Sequence, residues 1–420
     1  MATHGTSDTS DTSETSEPSG LSVPAPVEFD PFAEAYFEDP YEMYRRLRDE
    51  APLYFSERYG FYALSRYDDV CDASRDWVTF TSTHGINLSM LTDESQLPPE
   101  LLITMDPPKH DRLRSLVSRV FTPRAVTALE PMVREVILEQ LATLDGRDRF
   151  DAVADFAGPF PVEIISRMLG VPEADRQQLR HWLDLALHRE IGEVHANDVG
   201  TEAMIAMGTY IYELAVAKRA APGDDMLSDL IAAEVDDGNG GTTHLDDIEI
   251  AGFASLLGGA GAETVTKLLG NAFVLFARHP AQYRKVLADP AAVPRAVEEV
   301  LRILPPAQYQ GRFSTTDSDW RGETLPAGHP VLLVTGAALR DERSIDRPDD
   351  FEIDRPPALS LGFGYGIHSC LGAALARLEA RIAIEEMARR WPEYAIDEDG
   401  LRRVHMSNVA GYANVPVVLG

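Results

Sequence analysis

Ten residues, Phe363 to Gly372, reading F-G-Y-G-I-H-S-C-L-G, constrain this chain more than any other segment. They set one of only two cysteines, Cys370, in a loop with Gly364, Gly366 and Gly372, just ahead of a helical run over 373–390. Glycine lets a backbone take positive φ and approach a ligand closely. A cysteine opening a helix lies at the positive end of its macrodipole, which favours thiolate over thiol. Such a thiolate can be a nucleophile, half of a metal site or the axial ligand of a haem iron. The plainer reading is a small buried hydrophobe. His368 and Cys370 have no CxxC partner, which argues against structural zinc. A cysteine hydrolase stays open, because its base need not be near in sequence.

Composition bounds the class. The chain has 420 residues, 44% of them hydrophobic, enough for one large core or two smaller ones. A formal charge of −30 argues against nucleic acid and against an anionic membrane surface as partners. Cys71 and Cys370 are too few for a disulfide framework, which fits a reducing cytoplasm. No apolar run approaches the roughly 20 residues of a membrane span, and the N-terminus lacks the basic and apolar regions of a signal peptide. The expectation is a soluble cytoplasmic protein. Residues 1–26 form a Ser/Thr/Asp/Glu-rich tract ending in prolines and read as a disordered polar tail. Residues 27–420 read as a single domain.

Within that domain the pattern is mainly α with small β-sheets. Residues 54–65 read as a hairpin around a Gly turn. Apolar spacing predicts helices over 126–144, 173–195 and 201–219, with loops at 222–225 and 236–241. The longest helical pattern runs from Asp246 to about His279, where Pro280 ends it. Short β-like runs return at 330–335 and 415–419.

Three further segments carry chemistry. L-L-G-G-A-G-A-E-T-V, Leu256 to Val265, puts three glycines inside the long helix, at about 1 kcal/mol each against alanine. They serve either close helix packing or a local opening against a ligand. Glu299 and Arg302 stand at i, i+3, ordinarily a surface pair of small value. In M-D-P-P-K-H-D-R-L-R, His110 and Arg114 lie one turn apart, on what could be a solvated basic face.

Taken with the Cys loop, these segments resemble the cytochrome P450 family, in its soluble bacterial form, from about Phe29 to the C-terminus. The resemblance implies an α-rich haem-thiolate monooxygenase with a long central helix over haem b. In such an enzyme one atom of O₂ enters a substrate C–H or C=C bond and the other leaves as water. Cys370 would be the axial ligand, with Gly364, Gly372 and Ala260 against the cofactor. Glu263 and Thr264 would manage protons. His110, Arg114, Arg312 and His368 would reach the haem propionates, and Glu299, Arg302 and Arg355 would brace the segment beneath. The implied substrate pocket takes in the variable segment 84–101, Leu256, Gly259, Ala307, Gln308, Val409 and Ala410. Most of these are apolar, with Gln308 the main polar handle, so a terpenoid, steroid or lipid-like substrate is expected.

Electrons would come from a ferredoxin and ferredoxin reductase. They would dock on a basic patch of Lys109, Arg112, Arg119, Arg124, Arg377, Arg381, Arg389 and Arg390, on a monomer. Two departures from the family pattern, A-L-R-D-E at Ala338 to Glu342 and Ala262 where histidine is common, touch neither the ligand nor the relay. The competing readings are a peroxide-driven peroxygenase and a non-catalytic docking protein of the same fold. The first would lack the acid–alcohol pair, and the second would not need Cys370.

Overall fold

In the computed structural model, the described residues are 1, 26–97, 101–118, 120–236 and 241–419. The expected polar tail therefore lies almost wholly outside them, as do Arg119, most of the loop at 236–241 and part of the segment 84–101.

The organising element is the helix Asp247–Arg278, 32 residues long, or about 48 Å. Its start is fixed by a capping box: the Asp246 carboxylate accepts from the Ile248 and Glu249 amides at 2.9 and 2.8 Å, and Glu249 accepts from the Asp246 amide at 3.0 Å. At its end Pro280 opens the next helix, Pro280–Ala288. Every residue from Val265 to Phe276 is buried, the all-round burial of a helix in the middle of a core. Packed against it are the helices Pro159–Leu169, Asp198–Ala220, Val293–Ile303 and Ala373–Arg390. Leu375, Leu378 and Ile382 of the last join the same hydrophobic cluster.

Beside this helical body lies a five-stranded sheet in the order Leu53–Ser56, Phe61–Leu64, Pro330–Leu333, Gln310–Ser314, Phe80–Thr81. The first two strands are the expected hairpin, paired Leu53 to Leu64 and Ser56 to Phe61, with Gly60 at φ +68° in the turn. Arg312 sits opposite Val331 inside this sheet, so its backbone is held from both sides. One cluster beside the sheet collects Phe29, Phe32, Tyr36, Tyr44, Phe61 and Tyr309, and another collects Cys71, Phe80, Val331 and Leu361.

Two expectations need correction. The helix predicted over 173–195 is a 3₁₀ turn, Glu173–Asp175, then Arg176–Leu187. It stops because the Arg189 guanidinium takes the carbonyls of Ala186, His188 and Val194, while its amide donates to His405. A short strand pair, Glu234–Asp236 with Thr242–His244, flanks the predicted glycine-rich loop. The helices expected over 126–144 and 201–219 are Pro123–Ala142 and Asp198–Ala220.

Candidate functional site

The Cys loop is held by its own backbone. The Cys370 amide donates to the Phe363 carbonyl at 2.7 Å, and Gly364 donates to Leu361 at 2.8 Å. Gly366, at φ +77°, packs so tightly on the helix Tyr67–Arg75 that a Cβ there would lie 2.1 Å from the Ser74 carbonyl oxygen. Only glycine fits. A Cβ at Gly372 would meet open space, and Cys370 itself is exposed although Leu375 and Leu378 just beyond it are buried.

Protein atoms packed around the Cys370 sulfur push its thiol up, although the residue's surface opens onto a space beside the loop; the Gly372 amide, Arg114 and Arg377 pull it the other way. The helix begins at Ala373, as expected, with Gly372 as its cap. A thiol of this kind becomes a thiolate when a metal ion binds it.

Four cationic or donor groups converge beside the loop. Arg114, on the helix Lys109–Val117, donates to the Ser369 carbonyl at 2.5 Å. His110 and His368 meet edge to face, with ring centroids 4.7 Å apart. Both carry a buried Nε2 without a partner among the described residues. Arg312 is buried and gives one hydrogen bond, to the Gly311 carbonyl at 2.7 Å. Burial lowers it to about 10, against a weak opposing pull from Asp106. Burial, then Arg312, His110 and Arg114, depress His368 to about 3. Buried cations and orphaned donors are costly without an anion. Two carboxylates placed among these four residues would satisfy them, and the donor set thus fits the propionates of a haem whose iron Cys370 would hold.

Across from the loop, Ala260 is exposed on a helix whose neighbouring turn holds buried Leu257, Ala262 and Glu263. The helix is continuous through the glycines, without the local opening that is one of the two readings. A Cβ at Gly259 would lie 3.4 Å from Leu183, and one at Gly261 would lie 3.7 Å from Ile165. Both are ordinary contact distances, so the packing of this helix does not itself require glycine there. The Thr264 hydroxyl donates to the Ala260 carbonyl at 2.8 Å. Glu263 is buried against Lys267, which sequence reasoning missed although Glu and Lys at i, i+4 in an apolar run signal it.

Glu299, Arg302 and Arg355 form one buried network. Glu299 accepts from Arg302 twice at 2.8 Å, from Arg355 at 3.0 Å and from the Glu352 amide at 2.8 Å. The arginines spend their other donors on the carbonyls of Leu339, Pro348, Asp350 and Arg347. The network clamps the chain that leads into the Cys loop.

In the implied pocket, Ala307 bridges to Val409, and the Ala410 amide donates to Pro306 at 2.8 Å, so these form one wall. Leu256 packs against the helical core. Gln308 does not serve as a polar handle: its buried amide accepts from the Tyr44 hydroxyl at 2.8 Å and donates to Pro305 at 2.6 Å. The basic patch is also corrected. Arg112 pairs with Glu249, Arg377 with Glu298, Arg381 with Glu130 and Glu385, Arg389 with Glu386 and Arg390 with Asp145. These five arginines are thus each neutralised by a carboxylate rather than free to form a basic face.

Comparison with known proteins decides the class. The family profile for cytochrome P450 matches residues 202–392. The cytochrome P450 123 of Mycobacterium tuberculosis is 42% identical over 391 residues, spanning 92% of this chain and 96% of its own length. This chain belongs to the cytochrome P450 family. The erythromycin C-12 hydroxylase of Saccharopolyspora erythraea is 35% identical, over 89% of this chain and 93% of that enzyme. A crystal structure of a Bacillus megaterium P450 in complex with testosterone superposes with a TM-score of 0.82 at 31% identity, covering 91% of this chain and 98% of that one. The P450 here is thus a monooxygenase that binds haem b. No helix among its described residues is long and apolar enough to cross a membrane.

Proposed function

We propose that this P450 oxygenates an apolar, branched or polycyclic small molecule, terpenoid, steroid or lipid-like, by hydroxylation or epoxidation. Its electrons come from a ferredoxin and ferredoxin reductase in the cytoplasm. The observation that carries the substrate class is the turning away of Gln308, which leaves Leu256, Gly259, Ala260, Ala307 and Val409 with no charged or amide group among them. Such a surface favours substrates that lose apolar area to it, at about 25 cal/mol per Å², and gives a carboxylate no partner. The relatives' erythromycin and testosterone are in keeping with a bulky ligand.

Haem, when bound, supplies the oxygen-activating chemistry; the chain's own residues position and protonate. Cys370 would ligate the iron, with the Gly372 amide tuning the sulfur. His110, Arg114, Arg312 and His368 would hold the two propionates and so fix the cofactor's orientation. The Thr264 hydroxyl, which donates to Ala260 and keeps its lone pairs free to accept, is suited to pass a proton. Glu263, one residue away, is the acid that would resupply it. Glu299, Arg302 and Arg355 act on the architecture beneath. The test is a Soret-shift titration of the haem-loaded protein with steroids, terpenoids and macrolides against fatty acids and aromatic amines. Micromolar shifts with the polycyclic set or with the fatty acids are expected; response only to the aromatic amines would overturn the proposal.

A further inference from the structure

The helix Asp198–Ala220 leaves Ile205, Tyr212 and Val216 exposed, at 61%, 42% and 42%. At 3.6 residues per turn the three lie within about 40° of one another, on a single stripe. Thr209, between them, is exposed too. The opposite face packs on the helix Arg176–Leu187 and on the central helix, with Ile211 and Ala215 buried. One exposed apolar side chain needs no explanation, but three in a row do. Gly208 stands beside the stripe in mid-helix, where a Cβ would meet nothing within 4 Å. The chain's own packing does not require glycine there, although glycine weakens a helix. It does allow another backbone to come close. The two ends of the stripe carry opposite charge. Asp198 continues it at the helix start, and Arg219 flanks it near the end, 37% exposed. Arg219 uses Nε and Nη2 on Asp247 and the Leu245 carbonyl, at 2.7 and 2.9 Å.

We propose that this helix face binds a second copy of itself, antiparallel, in a two-fold dimer that replaces the expected monomer. A two-fold contact requires that where residue i meets j, j also meets i. Pairing about the midpoint between Gly208 and Thr209 meets that condition along the whole stripe. Ile205 falls opposite Tyr212 of the second copy, Thr201 opposite Val216, and Asp198 opposite Arg219. The two small residues fall at the crossing, where the helices come closest. A parallel pairing would instead set Asp198 against Asp198 and Arg219 against Arg219. Ile248, 50% exposed and next to the Asp247 that Arg219 bonds, widens the apolar surface at that end. Glu202 and Glu213, exposed on one flank, face each other's copies and oppose the contact. That repulsion and the small area of one helix face make the dimer a micromolar one rather than permanent. A net charge of −30 disfavours an anionic lipid surface as the occupant.

Sedimentation velocity of the haem-loaded chain, from low micromolar to a few hundred micromolar, tests this. Wild type should pass from monomer to dimer across that range. Ile205→Glu and Tyr212→Glu, both at exposed positions that leave the fold alone, should each weaken the dimer about tenfold or more. Gly208→Leu should weaken it likewise by filling the crossing. The same substitution should raise the melting temperature of the monomer, because leucine is the better helix former and has open space there. Arg219→Asp and Asp198→Arg should each weaken the pairing, and the double exchange should restore it. Thr209→Cys should cross-link to its own copy under mild oxidation, whereas Ala217→Cys, exposed but off the stripe, should not. A wild type that stays monomeric throughout overturns the proposal, and its binding to phosphatidylcholine vesicles would assign the face to lipid instead. A dimer that Ile205→Glu, Tyr212→Glu and Gly208→Leu all leave intact overturns it equally.

Discussion

The network around Glu299 offers the sharpest quantitative test. Its carboxylate is 4% exposed and accepts four hydrogen bonds, three of them from guanidinium groups. Glu299→Ala would leave Arg302, itself only 8% exposed, as a buried cation with backbone carbonyls alone for partners. Removing one member of such a pair costs about 3–5 kcal/mol, a large share of the roughly 5–15 kcal/mol that holds a typical fold. Arg355→Ala should cost less, about 1.5–3 kcal/mol, the worth of hydrogen bonds to a charged group. Glu299 keeps Arg302 in that variant. The two losses should not add, because both variants remove the same contact.

The assay is urea denaturation of the haem-loaded variants, with hydrogen exchange at the Glu352 amide as a local probe. That amide donates to Glu299 at 2.8 Å, and a loss of about 3 kcal/mol would speed its exchange more than a hundredfold. A change below about 1 kcal/mol, the range of exposed ion pairs, would refute the claim that this pair clamps the segment under the Cys loop. Full additivity of the two variants would refute it equally.

Three shorter predictions follow from the site. Thr264→Ala gives up one hydrogen bond to the Ala260 carbonyl and no ion pair. It should therefore fold and bind haem normally while product per NADH drops severalfold and peroxide rises; an unchanged ratio would refute the relay. His368, depressed to about 3, enters the fold neutral, while the unfolded chain takes up a proton below about 6.5. Its contribution is present above that value and is lost as pH falls toward about 3. His368→Gln should flatten the acid limb of apoprotein stability between pH 7 and pH 4 in urea melts, and an identical slope would refute this. Arg112→Ala would leave Glu249 uncovered, adding an unpaired acid there. Haem reduction by an acidic ferredoxin, followed by stopped flow, should slow, and slow more at low salt; indifference to both would place electron entry elsewhere.

What could be read in advance was local. Glycine spacing around Cys370, the acid-then-hydroxyl step at 263–264 and the proline at 280 each act within a turn or two of chain. The structure has the corresponding loop, helix and helix end in those places. The hairpin over 54–65 belongs to the same class, since a Gly turn between aromatic alternations fixes its own register.

What could not be read was which distant group each polar side chain would meet. Gln308 was misplaced because its amide meets the hydroxyl of Tyr44, 264 residues earlier in the chain, a contact that one sequence does not reveal. The arginines of the supposed basic face carry no mark of their pairing with Glu249, Glu298 or Glu130, all from other helices. A chain with a net charge of −30 has acids to spare, so most surface arginines will be neutralised wherever they fall. The exceptions are then informative. His368 and Arg312 have no hydrogen bond to a carboxylate among the described residues, and His110, whose Nδ1 meets Asp111, leaves its Nε2 without a partner. Donors left uncommitted in that one place suit the propionates of a cofactor.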